Sequence, residues 1–490
     1  MIRRGRSEGW LYLPSSSVRL WADFNDIRFH GVKIDEIPHR GCGVVATQHL
    51  NGEASPLMMV PRDLVLSLEV VEQYGKSDKS LRAVLDGLGE FGKTTRGAIL
   101  SFLLLQAALS CPAVTSNVGV RTPFVEYVKF LPLNYLPTAW ASCTSLPLLQ
   151  RLLSGTTLDP ALQAKTNSLR KEFESFRKAS KRVSACAQSF WGKKDSLITF
   201  DDWLQVDNWY RSRALEFPGI GDAMVPCVDM ANHASREATG ALYECDSDGN
   251  AVLLLHDEKT FNEGNEITIT YGDKKGACEM LFSYGFLEDD MEDAREMFLP
   301  FDMPEDDPLA RVKKYIAKSA PGFKIFRAED GTRVDWHGPF LYLVVVNEED
   351  GLSFRVLQSN DGERELKAYF KEQEIINEQQ YVNLLEQDEM WNVFQLRAVC
   401  LLQDRVQQQL HSLDESADDV ERGLQQENTA SEDKEVLLVR ALRRLERKLL
   451  ERADQEFETQ KQAFLQSAVV QSYLTSQAAG QEEEPEEVFS

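Results

Sequence analysis

Val228-Asp-Met-Ala-Asn-His233, followed about thirty residues on by Glu263-Gly-Asn-Glu-Ile-Thr-Ile-Thr-Tyr271-Gly272, is the part of the chain whose reading decides the fold. A short apolar run ends in an Asn-His pair. An acidic turn then opens a β-rich run that closes on Tyr-Gly. Asn232 and His233 both donate and accept hydrogen bonds, which suits the polar edge of a ligand. Taken singly, an Asn-His dipeptide is a turn-former and a strand-ending tyrosine is packing. Their joint occurrence in this order is the informative observation.

Working outward, the 490 residues suffice for two to three domains, and 43% hydrophobic with 27% charged residues describes an ordinary globular chain. The net charge of -24 argues against binding nucleic acid or an anionic membrane, and would favour a Lys-rich, basic protein partner. Eight scattered cysteines with no CxxC pair fit reduced thiols, as in the cytosol or nucleus. The seven histidines form no HExxH or His/Cys cluster, so no metal is expected. Met1-Ile-Arg-Arg-Gly-Arg6 is basic but lacks an apolar segment behind it, so it is not read as a secretory signal. The apolar run Ala98–Leu109 is too short for a bilayer and reads as a buried helix.

Residues 28–70 read as short strands and turns, 75–190 as helices, and 223–272 as strands again, in Ala223–Val228, Ala251–Leu255 and Ile267–Tyr271. The expected architecture is α+β: a β-rich core over 20–290 with a helical insertion at about 75–195, then a mostly helical domain over 291–490. Residues 288–308, acidic and carrying Pro300, Pro304 and Pro308, read as a linker. Phe340–Val346 and Leu352–Leu357 read as a hairpin about Asp350-Gly351, with helices over 364–412 and 432–476. Leu438, Leu442, Leu445 and Leu449 form a stripe too short for a coiled-coil seam, so it reads as a bundle face in a monomer. The Glu-rich tail near 480–490 reads as disordered.

Together, Arg40-Gly-Cys-Gly-Val-Val-Ala46, the strand-Pro-strand of Leu57–Ser67, Arg211-Ser-Arg-Ala214, the Asn-His pair, Tyr271-Gly272 and Leu281-Phe-Ser-Tyr-Gly-Phe286 resemble the SET-domain methyltransferases. More narrowly, the chain is similar to the branch typified by the Rubisco large-subunit lysine methyltransferase, over almost its whole length. The resemblance implies a SET core, a helical C-terminal substrate-binding domain, and S-adenosyl-L-methionine as cofactor. It implies protein-lysine N-methylation of a non-histone, basic protein, a ribosomal protein for example. It further implies cofactor contacts from Arg40, Cys42, Gly43, Arg213, Asn232 and His233, with Tyr271 catalytic and also touching the cofactor. Asp229, Tyr243, Tyr284 and Phe286 would be the substrate side. The chain departs from the pattern at Ala234, where a serine is usual, and at Arg40, where an acidic residue is usual. No cysteine cluster follows Tyr284, so the zinc-binding element of histone-type relatives is not expected.

Methyl transfer to lysine is an in-line displacement that requires a neutral amine, an aligned approach and exclusion of water. Free lysine has a pKa of about 10.4, so the site must help it shed a proton. Tyrosine hydroxyls and ring faces are suited to holding such an amine. Two other readings compete. One is a catalytically inactive SET-like peptide-binding module. The other is a nucleotide site, because Gly87-Leu-Gly-Glu-Phe-Gly-Lys-Thr94 satisfies GxxxxGK[ST]. A P-loop needs a buried strand before it, and Leu81, Val84, Leu85 and Leu88 are spaced as a helix face instead.

Overall fold

The computed structural model describes residues 1–51, 56–114, 118–133, 136–142, 146–192, 196–257, 259–358, 364–426 and 433–482. The chain divides into two compact units. The first comprises Met1–Thr144, Ala161–Asp273 and Leu281–Gly285; the second comprises Ser145–Pro160, Lys274–Met280 and Phe286–Ser490. The second unit therefore takes a segment of the helical insertion.

In the first unit, strands are short and antiparallel. Arg28–Phe29, Met58–Val60, Ala251–Leu255 and Ala241–Cys245 lie side by side in that order. A second sheet joins Val32–Ile37, Gly41–Ala46 and Glu266–Ile267. Alternation is lost in Gly41–Ala46, whose last four residues are all buried, because both faces meet core. The expected strands at 223–228 and 267–271 are shorter: Gly221–Ala223 pairs with Leu215–Phe217, and Val228–Met230 is a 3-10 turn. Cys227, at φ 72°, turns the backbone into it through the left-handed region, a costly conformation for a side-chain-bearing residue.

The helix Thr95–Leu109 is buried from Gly97 onward, as its unbroken apolar run requires. No described helix is long and apolar enough to cross a membrane. The GKT sequence is the start of this helix. Thr94 accepts from Gly97 N at 3.0 Å as a side-chain N-cap, Lys93 pairs with Glu90, and the helix Lys79–Gly87 stands where a P-loop needs a strand. Helix Phe200–Arg213, opened by a Thr199–Asp202 capping box, buries Trp203 and Trp209 and delivers Arg211 and Arg213 at its end.

The second unit differs from the sequence reading in three places. The run Phe340–Val345 is a fully buried helix with Pro339 in its first turn, not a strand. A short run apolar on every side has no periodicity to separate the two, and the helix-starting proline was the overlooked signal. The hairpin is instead Leu352–Gln358 with Arg364–Phe370, extended by Gln373–Ile375, so helix begins only at Glu378. The expected linker holds the strand Glu296–Pro300, paired with Gly322–Arg327. Its acidic residues are committed to ion pairs, Glu288 with Arg295 and Asp307 with the buried Lys313. Helices Trp391–Gln426 and Lys434–Leu465 pack together, with Leu442, Leu445 and Leu449 buried on the shared face. The last helix runs through Glu482; the rest of the acidic tail lies outside the described residues.

Candidate active site

Backbone pairing brings the two diagnostic stretches together. Glu266–Ile267 pairs with Val44–Val45, and Ile269 then lies parallel to His233. Ile269 N donates to Asn232 O at 2.9 Å and Ala234 N to Ile269 O at 3.0 Å. The glycine loop, the Asn-His pair and Tyr271 thus converge although they lie up to 231 residues apart in sequence, from Arg40 to Tyr271.

Gly43 faces this junction and nothing larger fits: a Cβ there would stand 2.7 Å from Ile37 Cγ1, 2.9 Å from Glu266 Oε1 and 3.1 Å from Asn232 Nδ2. Gly41, at φ 76°, supplies the left-handed turn. Asn232 Nδ2 donates to Cys42 O at 3.1 Å and to Glu266 Oε1 at 2.8 Å. Arg40 reaches the same carboxylate, with Nη1 2.6 Å from Glu266 Oε2, while its Nη2 donates to His233 O at 2.6 Å. Arg40 is therefore a clamp on the Asn-His segment. Burial raises the Cys42 thiol, which keeps it neutral.

His233 Nδ1 accepts from Tyr271 N at 3.0 Å, which places the ring proton of the neutral tautomer on Nε2. The two rings stack at 5.1 Å. The Tyr271 hydroxyl donates to Ala231 O at 2.9 Å, and the Tyr284 ring centre lies 4.7 Å from that of Tyr271. Burial pushes the Tyr271 hydroxyl to about 12, opposed by the nearby Arg213 charge, so it stays protonated at neutral pH.

Behind this group lies a second, deeper one. Arg213 Nη1 donates to Asp229 O at 2.9 Å and faces Asp229 Oδ2 at 3.3 Å. Tyr127, from the helix Phe124–Phe130, donates to the same Oδ2 at 2.6 Å. Burial raises the Asp229 carboxyl above its ordinary value, against the lowering effects of Arg213 and Tyr127. Asp229 Oδ1 and Arg213 Nε are buried with no hydrogen-bond partner among the described residues.

Of the remaining expected residues, Tyr243 sits on the strand Ala241–Cys245 with its ring 4.9 Å from that of Phe217. Phe286 is partly buried and belongs to the second unit. Among the described residues, no group of three or more His, Cys, Asp or Glu could hold a metal. Two members of the constellation escaped the sequence reading. Glu266 was visible as the last acid of Glu263-Gly-Asn-Glu266, but its bonds to Arg40 and Asn232 were not. Tyr127, 102 residues before Asp229, left no local signal.

No protein-family model matches the chain. SET domain-containing protein 8 of Schizosaccharomyces pombe is 27% identical over 330 residues, covering 66% of this chain and 70% of that protein. Actin-histidine N-methyltransferase of Danio rerio is 22% identical over 288 residues, 57% of this chain but only 43% of that protein. Among solved structures, the SET domain of LSMT bound to lysine and AdoHcy matches with a TM-score of 0.63 at 17% identity, over 94% of each chain. Rubisco LSMT bound to AdoMet matches at 0.61 and 17%, over 95% of this chain and 96% of that one. The chain has the SET-domain fold.

Proposed function

We propose that the chain is an S-adenosyl-L-methionine-dependent protein-lysine N-methyltransferase. The observation that carries this reading is the setting of Tyr271: half-buried, protonated, its hydroxyl tied to Ala231 O, and walled by His233 and Tyr284. With its proton committed to a carbonyl, the phenol oxygen can only accept at the reacting centre, which suits an amine N–H or a polarised methyl C–H. Aromatic walls exclude water, and a dry setting favours the neutral, nucleophilic form of a lysine amine.

The residues present fit the cofactor. Gly43 lets Glu266 and Asn232 close in on the loop backbone and so fixes the Asn-His pair, and Arg213 Nε and Asp229 Oδ1 are buried polar atoms without a hydrogen-bond partner among the described residues. A guanidinium suits an amino-acid carboxylate, and a carboxylate suits an ammonium. Gly43, Asn232, His233 and Arg213 would hold the cofactor, which when bound supplies a methyl group on a sulfonium. The names of the solved neighbours, LSMT with lysine or methyllysine bound, support lysine as acceptor. The net charge of -24 supports a basic protein substrate, for which we propose a non-histone protein such as a ribosomal protein. Seven free cysteines among the described residues support a reducing compartment, cytosol or nucleus.

The test is incubation with tritiated S-adenosylmethionine and a cell lysate, followed by mass spectrometry of the labelled band. A modified lysine is the expected result. A modified histidine, the acceptor named for the Danio rerio relative, would overturn the acceptor assignment while keeping the reaction.

A further inference from the structure

We infer that Tyr127 is a positioning residue of this site, whose hydroxyl fixes the Asp229 carboxylate against which Arg213 is aligned. This rests on the proposed function. The Tyr127 side chain is fully buried, its ring 6.3 Å from Trp21 and 5.9 Å from Phe124. A phenylalanine would fill that aromatic cage without bringing a polar group inside. The hydroxyl instead makes the shortest contact in the Asp229 cluster, 2.6 Å to Oδ2, against 3.3 Å from Arg213 Nη1 to the same atom.

The geometry makes the two orientations one. Arg213 uses a single nitrogen, Nη1, for both the carbonyl and the carboxylate of Asp229, so rotation of that carboxylate leaves the guanidinium held by the carbonyl alone and able to swing about that one bond. Tyr127 holds Oδ2, which leaves Oδ1 as the buried oxygen without a partner. The backbone under Asp229 is fixed as well: Asp229 N donates to Val225 O at 2.9 Å, and the left-handed Cys227 sets the turn. Three residues later the same segment presents Asn232. Tyr127 therefore acts on the cofactor side through Asp229 and Arg213, without touching a ligand.

The test uses the full chain and the cofactor analogue sinefungin, with binding measured by calorimetry and unfolding measured without ligand. Tyr127→Phe is expected to weaken sinefungin binding about tenfold, the loss of one hydrogen bond to a charged group, and to raise the KM for S-adenosylmethionine alike. Its ligand-free melting temperature should fall by no more than a few degrees, because the same buried hydrogen bond is missing without ligand. Asp229→Asn should weaken binding at least as much, and adding Tyr127→Phe to it should cost nothing more, because the two act in series. Wild-type affinity in Tyr127→Phe, a lower melting temperature with unchanged affinity, or independent addition of the two effects would overturn the inference. Failure of the wild type itself to bind sinefungin would instead overturn the proposed function, and the inference with it.

Discussion

Asp207 and Asp229 are both buried aspartates of the first unit, separated by 22 positions in sequence, and they are held in opposite ways. Asp207 faces three cations: Arg96 at 2.5 Å, Lys165 at 3.1 Å and Arg211 at 3.4 Å. Burial alone would raise its carboxyl, but Arg211, Lys165 and Arg96 together hold it below its ordinary value. Asp229 has one cation and one phenol, and its carboxyl is raised; each aspartate has one buried oxygen without a hydrogen bond among the described residues, so the difference lies in the counter-charge. A carboxylate surrounded by counter-charge is a fastener. One with a single cation and a raised carboxyl, close to Tyr271, is poised for something that arrives later.

The comparison breaks if the two residues respond alike to mutation. Asp207→Ala takes a counter-charge from three cations, of which Arg96 alone keeps another among the described residues, in Glu172, and should destabilise the chain by about 3–5 kcal/mol, read by urea unfolding. Asp229→Asn keeps an acceptor for Tyr127 but removes the counter-charge of Arg213, and should cost less, about 1–3 kcal/mol in the same assay. Equal losses would make Asp229 a second fastener.

A third buried carboxylate, in the second unit, sharpens the point. Glu446 is completely buried and accepts from Thr157 N at 3.2 Å and from the Thr157 hydroxyl. Burial pushes its carboxyl from 4.5 to about 7, against the lowering effects of the Thr157 bonds and Arg443. Because the folded value is the higher one, the unfolded chain ionises first. Glu446 therefore adds to stability at pH 4.5 and below, and that contribution is lost as pH rises toward 7. The full swing is about 3 kcal/mol at 1.36 kcal/mol per pH unit. Glu446→Gln should remove this part of the slope in unfolding free energy between pH 4.5 and 7; an unchanged slope would show that Glu446 ionises normally in the fold. Asp207 has the opposite sign, its contribution present above the ordinary aspartate value and lost in acid.

The smallest effects belong to the loop that mimics a P-loop. Thr94→Ala should cost about 1 kcal/mol of stability, the loss of a helix N-cap, with cofactor binding intact. Lys93→Ala should change neither stability nor transfer, since Lys93 makes an exposed pair with Glu90. ATP binding that disappears in Lys93→Ala would return the nucleotide reading to contention.

The convergence of the candidate site was partly legible in the sequence, because its backbone-paired residues lie in short local runs. Gly41-Cys-Gly43, Asn232-His233 and Tyr271 each sit in a stretch whose local chemistry announces it, and backbone pairing brings them together. What stayed hidden depends on distant partners. Nothing near Tyr127 signals that its hydroxyl meets Asp229, and nothing near Arg40 signals Glu266. The same holds for the fold. The leucines around Leu445 carry a helical period, and Leu442, Leu445 and Leu449 are buried along one helix while Leu438 is only partly so. Phe340–Val345, apolar throughout, carries no period, and Arg364–Phe370 finds its strand character only in pairing with Leu352–Gln358.

The central claim, that Tyr271 serves methyl transfer, is tested most directly by labelling lysate with tritiated S-adenosylmethionine using wild type and Tyr271→Phe side by side. Loss of the hydroxyl should slow transfer by about 100-fold or more while sinefungin binding and the melting temperature hold, leaving a band with wild type alone. Equal labelling by the two proteins would contradict the account and remove Tyr271 from the chemistry.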